Sequence, residues 1–506
     1  MMTVKEALSS WKGEAVKAAM EEEIRSLTGM GTWELVKRPR GVNIMKNRWV
    51  QTTKYRIDDT VEREKARLVV KGITQVYGAD YDETYSPVSS YVTLRIFLII
   101  VAVLDLNLMQ LDMKNAFLQS KLDRVLYMYQ PDYFDDGTGR VCKLLESLYG
   151  LKQSPLLWYR ALDSVLLVLV YVDDLLAASS STAMLKELKD LLEAAFELRE
   201  ISPVVKYLGL EILRDRPARK LWLHQQGYAD KLRRRFIDEE LGGSVPKTPV
   251  SVDAYAQLTF DDEEAQEREE KEYRQKVGSL QFAATTTRPD IAFACSKLGS
   301  GLTVRSDQHW REVDRCLAYL ADTHDTALEF GGGPESLELI RYVDADDAGD
   351  KQNRTSTRGY VFVYGGAAVS WSSSRIKCTT LSSTESEYVV ATDAGKEGRR
   401  LRFLLAEFML LDAGKPTILR VDNKSAITVA EGLGLTGNLK HMERRYAWLQ
   451  HMVRRGRFVL NYIPTTEQPA DFLAKALHFP AFHRCSVAIG QVRVVDVGDG
   501  DDKVQQ

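Results

Sequence analysis

Hydrophobic and polar positions change period several times along the chain, and each change marks an element. MMTVKEALSSWKGEAVKAAMEEEIRSL carries apolar residues at helical spacing, so residues 1–30 read as an amphipathic helix ended by the glycines at Gly29 and Gly31. TWELVKR, NRWVQTTKYR and EKARLVVKG then alternate, with turn residues between them, which predicts a small antiparallel sheet. Thr93 to Leu104 is apolar on all sides and reads as a buried helix. Leu108 to Leu111 predicts a short strand that delivers Asp112 at its end. The run from Val165 to Val172 stops at Asp173-Asp174 and resumes from Leu175 to Ala178, the pattern of a hairpin. A helix over LKELKDLLEAAF follows, then VKYLGLEIL and KLWLHQ as a second pair of strands.

From Pro246 to Glu272 the composition shifts to a solvated acidic run, read as linker or exposed helix. Residues 273–325 are helical, interrupted by TRPD at 287–290. Past Gly331-Gly332-Gly333-Pro334 a strand-first pattern begins: LELIRYVDAD, the hairpin GYVFVY-GG-AAVSWS, a long helix from Ser383, the strand TILRVDN and closing helices to about Leu477. That order predicts an independent α/β domain. The expected division is a helical lead at 1–30, a first domain at 31–245, a linker and helical connection at 246–334, a second domain at 335–478 and a tail at 479–506, disordered at its end. No internal repeat is present.

Length supports that division, since 506 residues exceed what one core normally serves. Hydrophobic residues at 44% and charged residues at 27% predict a soluble globular protein. Ile96 to Leu104 is the most apolar run and is too short to span a bilayer, and the first helix is not a secretory signal. The net charge of −3 provides no global field for nucleic acid, so any such binding must use local basic patches. Five scattered cysteines without a C-x-x-C pair exclude a zinc-finger or disulfide framework and suit a reducing compartment.

Transfer of a nucleotidyl group needs two divalent cations over the attacking and leaving oxygens, and magnesium binds carboxylate oxygen. Asp112 at a strand end and Asp173-Asp174 in a hairpin turn supply that chemistry, although Asp-Asp alone is common in surface turns. KARLVVKGITQVYGADYDETYSPV, LDMKNAFLQSKL, SLYGLKQSPLLWY and YVDDLL occur in the order found in reverse transcriptases. From about Trp11 to about Leu477 the sequence closely resembles the Pol polyproteins of copia-type long-terminal-repeat retrotransposons. The resemblance implies an α/β (α+β) architecture: reverse-transcriptase fingers and palm, a helical connection, then a ribonuclease H-like α/β domain. It implies that Asp112, Asp173 and Asp174 hold the polymerase metals. It also implies that Phe117 gates the incoming sugar against a 2′-hydroxyl, although an aromatic there also suits a core. Lys65, Arg67 and Lys71 are the candidates to neutralise the triphosphate, and alternate residues of one strand cannot all face it. Gly150, Lys152 and Gln153 resemble the loop against the templating pair, and Tyr207 to Ile212 resembles the hairpin that grips the primer end.

The second half carries YVDADDAGD, LSSTESEYVVA, VDNKSAI and YIPTTEQPADFLAK, which match the family's ribonuclease H in order. The resemblance implies that Asp344, Glu385, Asp422 and Asp471 gather two metals to cut RNA in a hybrid. Asp346 and Glu387 are rivals two residues away, and on a helix only one of Glu385 and Glu387 can face the metals. Glu385 is preferred because it follows Ser-Thr at the helix start. Taken alone, it would read as a dipole-complementing residue. His441 lies in a segment similar to one near the family's site, and Arg444, Arg445, Arg454, Arg455 and Arg457 could contact phosphates.

The implied cofactor is Mg2+, two ions per active site, with Mn2+ as a substitute. The implied partners are an RNA template, a DNA primer, an RNA/DNA hybrid, dNTPs and other Pol or Gag parts, with no membrane. The cytoplasm or a virus-like particle is the expected location, or the nucleus for a genomic relic. One departure matters: between Trp158-Tyr159 and Tyr171 only the eleven residues Arg160 to Val170 intervene, where the family has further helix and strand. Asp347 stands where the family usually has tryptophan. The rival expectation is therefore a relic with a defective palm that keeps nucleic-acid binding and hybrid cleavage.

Overall fold

The structure, a computed structural model, describes residues 4–10, 12–55, 61–71, 74–76, 80, 90–113, 121–146, 167–237, 245–255, 267–302, 306–332, 336–346, 356–376, 382–407, 416–432 and 443–494. It divides into two compact units, residues 1–89 with 107–203 and residues 90–106 with 204–506.

The first unit opens with helices Val4–Leu8 and Gly13–Gly29 where one helix was expected. Its strands are β1 (Trp33–Val36), β2 (Ile44–Met45), β3 (Asn47–Tyr55), β4 (Val61–Val70), β5 (Asn107–Met113), β6 (Lys121–Tyr129), β7 (Val141–Glu146), β8 (Leu167–Tyr171), β9 (Asp174–Ser179) and β10 (Leu198–Ile201). The three segments expected to share one sheet are split. β3 and β4 form a two-stranded antiparallel ribbon, while β1 joins the order β1-β7-β6-β2. The buried side of the ribbon, with Ala66, Leu68 and Val70, packs with Met20 and Leu27 of the second helix and with Met128, Cys142 and Leu144. A third sheet, β10-β5-β9-β8, buries Leu111, Met113, Leu175 and Ala177 against Leu185 of the helix Thr182–Ala195. Here the apolar runs on either side of Asp173-Asp174 form the expected hairpin.

In the second unit, Ser90 caps the helix Tyr91–Val103 by accepting from the Thr93 N–H, and every residue from Leu94 to Val103 is buried. Arg95 is among them. Its guanidinium donates to the carbonyls of Thr285, Thr286 and Val369 and lies 4.0 Å over the Trp371 ring, so carbonyl oxygens and a π face meet the charge. Strands β11 (Lys206–Tyr207), β12 (Leu210–Asp215), β13 (Lys220–His224) and β14 (Thr326–Gly331) form one sheet. Strands β15 (Ile340–Asp346), β16 (Thr357–Tyr364), β17 (Ala367–Arg375), β18 (Thr417–Val421) and β19 (Phe458–Tyr462) form another, in the order β17-β16-β15-β18-β19. β15, β18 and β19 run parallel, and the helix Ser383–Glu407 covers β15 and β16. This mixed sheet with its helices is the α/β layer expected of the second half.

Two features differ from the sequence reading. The stretch from 479, expected as a tail, forms the helix Phe479–Ala488 and the strand β20 (Gln491–Arg493), which pairs with β14. The second half is also knitted to what precedes it: the Gly331 N–H donates to Gly365 O in the β16–β17 turn. Gly365 has φ +62, and a Cβ there would lie 2.4 Å from Ile99 of the Tyr91–Val103 helix, so only glycine allows the approach. Arg288 and Asp290 form a buried pair, and Asp290 also accepts from Tyr319 Oη at 2.8 Å and Gln491 Nε2 at 3.0 Å. Among the described residues, no helix is long and apolar enough to cross a membrane.

Candidate active sites

Pairing register brings together the acids expected to serve a polymerase. β5 and β9 are antiparallel with Asp112 opposite Asp174, and the Met113 N–H donates to Asp173 O at 2.8 Å. Only Val172 and Asp173 separate β8 from β9, and Val172 takes φ +58, a conformation costly for a β-branched residue. Burial pushes the Asp174 carboxyl up to about 6, and the charges of Asp173 and Asp112 add to the rise. Asp173 is raised too, first by burial and also by Asp112, while Arg67 and Lys65 pull it down. Lys65 and Arg67, two apart on β4, share the face opposite buried Ala66 and Leu68, which settles their side of the strand. Lys71 lies beyond the strand, is exposed, and donates its N–H to Lys46 O.

The second cluster follows from parallel pairing. Val343 on β15 is level with Val421 on β18, so the next residues, Asp344 and Asp422, stand side by side. Gln468 Nε2 donates to Val343 O at 2.7 Å and holds the segment leading to Asp471 against the same strand. The helix Asp471–Ala474 lies directly on Gly359, where a Cβ would meet Ala470 O and Ala474 N at 2.9 Å. Asp344, Asp422 and Asp471 thus bring one ligand oxygen each within 4.8 Å of one another. Among the described residues no other three His, Cys, Asp or Glu side chains meet so closely, and the polymerase acids are a looser group.

Of the two rival glutamates, Glu387 stands against this cluster. Glu387 Oε1 accepts from the Ala345 N–H at 3.1 Å, and its carboxyl is raised by burial and by the charges of Asp344 and Asp422. Glu385 lies two residues earlier on the same helix, roughly 200° around its axis, so the helix cannot aim both at the cluster. Both are buried, and it is Glu387 that the charges of Asp344 and Asp422 reach. Lys475 was also missed: its Nζ lies 3.0 Å from Asp471 Oδ1 and 3.6 Å from Asp344 Oδ2. Its spacing of four from Asp471 was the available signal.

The donor set fits a hard divalent cation. Asp344 Oδ2 and Glu387 Oε2 are buried without a hydrogen-bond partner, Asp471 Oδ1 faces the Lys475 ammonium, and Asp422 Oδ2 is oriented by Thr465 Oγ1 at 2.9 Å. Burial, with Asp471 and Asp422 beside it, pushes Asp344 up to about 8 against the pull of Lys475. These carboxyls repel one another unless positive charge stands between them.

Residues 30–169 and 164–248 match the sequence profile of the family Reverse transcriptase (RNA-dependent DNA polymerase). The chain is 36% identical over 96% of its length to the retrovirus-related Pol polyprotein from transposon TNT 1-94 of Nicotiana tabacum, and covers 39% of that protein. It is 30% identical over 57% of its length to the transposon Ty5-1 protein of Saccharomyces cerevisiae, and covers all of it. The chain belongs to the reverse transcriptase family of copia-type retrotransposon Pol polyproteins.

The chain spans well under half the length of the plant relative, 39%. Its fold is similar to that of the foamy viral protease-reverse transcriptase, solved in complex with an RNA/DNA hybrid, with a TM-score of 0.51 at 14% identity over 91% of this chain and 55% of that one. The two stretches of the family match overlap at 164–169, inside the short segment after Tyr159. Tyr207 to Ile212 of the chain forms a tight hairpin, with Leu208 and Gly209 both at positive φ and Tyr207 buried. Asp346 lies on β15, two residues past Asp344. Phe117, Gly150, Lys152, Gln153, Asp347 and His441 lie outside the described residues. Arg444 and Arg445 lie on the helix Glu443–Arg454, Arg454 is its last residue, and Arg455 and Arg457 follow it.

Proposed function

We propose that the chain is an RNA-directed DNA polymerase with ribonuclease H activity, each active site served by two Mg2+ ions, with Mn2+ as a substitute. The observation that carries this reading is the meeting of Asp344, Asp422 and Asp471 within 4.8 Å, with Glu387 against the same cluster. Asp112, Asp173 and Asp174 support the polymerase half. Its substrates on this reading are an RNA template, a DNA primer and dNTPs, and the nuclease substrate is an RNA/DNA hybrid. The foamy viral relative bound to such a hybrid supports that partner.

Divalent cations bound at these clusters would supply positive charge over the attacking and leaving oxygens of phosphoryl transfer. In the nuclease, Asp344, Glu387, Asp422 and Asp471 would hold them, and Thr465 fixes the Asp422 carboxylate by donating to its Oδ2. In the polymerase, Lys65 and Arg67 carry positive charge near Asp173, suited to an incoming triphosphate. Phe117 is the candidate sugar gate, and Lys152 and Gln153 the candidate template contacts. Other Pol or Gag parts are further partners, in the cytoplasm or a virus-like particle.

The test is extension of a DNA primer on an RNA template beside Asp173→Asn. The expected result is extension by the parent alone, and equal extension by both removes the polymerase assignment. A second reading, a relic with a defective palm, is favoured by the short segment Arg160 to Val170, where the family match breaks. On that reading the protein cuts hybrid RNA and extends no primer.

A further inference from the structure

The nuclease cluster contains a cation of its own. Lys475 sits at the C-terminal end of the helix Asp471–Ala474, and its ammonium bridges Asp471 Oδ1 at 3.0 Å and Asp344 Oδ2 at 3.6 Å. Both oxygens are buried among the carboxylates of the cluster, and the ammonium is the cation that faces them. A divalent ion ligated by the same oxygens would stand roughly 2.0–2.6 Å from them, so it and the ammonium would share one small volume with like charge. The Lys475 side chain is 32% exposed and flexible, which gives it a route out to water.

We propose that Lys475 is a tethered counter-ion of the nuclease site: it holds the carboxylates together in metal-free protein and is displaced when divalent cations load. The proposal rests on the two-metal reading of this cluster and adds to it a positioning residue that sets how readily the metals bind. Metal loading is then a competition, and removing the ammonium has two opposite effects. The metal-free site loses its one nearby positive charge among the groups that shift Asp344, and the metals lose their competitor.

The experiment measures Mn2+ binding to the full chain by electron paramagnetic resonance and thermal unfolding with and without Mn2+. Asp422→Asn identifies the binding component that belongs to this site. Lys475→Met and Lys475→Gln are expected to bind that component at least about tenfold more tightly. They are also expected to melt below the parent in chelator, with the gap closing in saturating Mn2+, while Lys475→Arg restores parental behaviour. Two variants guard against one failing to fold. Equal or weaker binding in the Met and Gln variants overturns the tether alone. A parent with no component sensitive to Asp422→Asn overturns the metal reading and the tether with it.

Discussion

Helix geometry at the residue scale decides between Glu385 and Glu387, because one turn cannot aim residues two apart into the same cleft. Glu387→Gln is expected to lower hybrid cleavage by at least about a hundredfold, the scale of losing a placed charge-stabilising group, whereas Glu385→Gln stays within a few-fold. Rates on a labelled hybrid, with folding checked by circular dichroism, compare the two. Asp344, Asp422 and Asp471 were named from the sequence, since each lies inside a long motif, although β15 runs two residues past Asp344. The choice of glutamate was not legible there, because both lie within the first five residues of one helix and only tertiary packing separates them. Arg341 was equally illegible: it is fully buried between Phe362 and Phe458, and its Nε and Nη2 have no hydrogen-bond partner. Burial holds its guanidinium down to about 9. Arg341→Met is expected to stabilise the protein by about 1–3 kcal/mol, read as a rise in the unfolding midpoint.

Among elements, β20 shows what a short strand conceals. Three residues carry no periodic signal, so nothing in Gln491–Arg493 announces that they complete the β14 edge. Their role is visible in Gln491, which donates to Asp290, and in Arg493, which pairs with Asp325 at 2.8 Å. The Arg288–Asp290 pair is buried, and Arg288 with its hydrogen bonds holds the Asp290 carboxyl below its ordinary 3.8 despite burial. Asp290→Asn leaves the guanidinium uncompensated and is expected to cost about 3–5 kcal/mol in denaturant unfolding. With a folded value below the unfolded one, Asp290 stabilises the protein above about pH 4 and loses that contribution as pH falls further. A pH series should therefore show the parent losing stability below pH 4 more steeply than Asp290→Asn. By contrast, the Asp173-Asp174 hairpin was readable because two apolar runs flank it. The pairing of β1 with β7 was not, since alternation names a strand but not its partner.

At the scale of the whole molecule, compact units do not follow the order of the chain. The helix Tyr91–Val103 belongs with residues 204–506, where Arg95 donates to the carbonyls of Thr285, Thr286 and Val369. Residues 204–506 alone are expected to show no cooperative thermal transition, and the same fragment linked to residues 90–106 is expected to regain one. A sharp transition in both would show the helix to be dispensable. Sequence order could not reveal this, because the helix is apolar on every face and so records burial without recording where.

Cleavage of the RNA strand in a labelled RNA/DNA hybrid by the full chain, with and without Mg2+ and beside Asp422→Asn, tests the carboxylate cluster most directly. The expected result is Mg2+-dependent cutting by the parent, lost by at least about a hundredfold in Asp422→Asn. A parent that leaves the hybrid intact at saturating Mg2+, or a variant that cuts as fast as the parent, would contradict it.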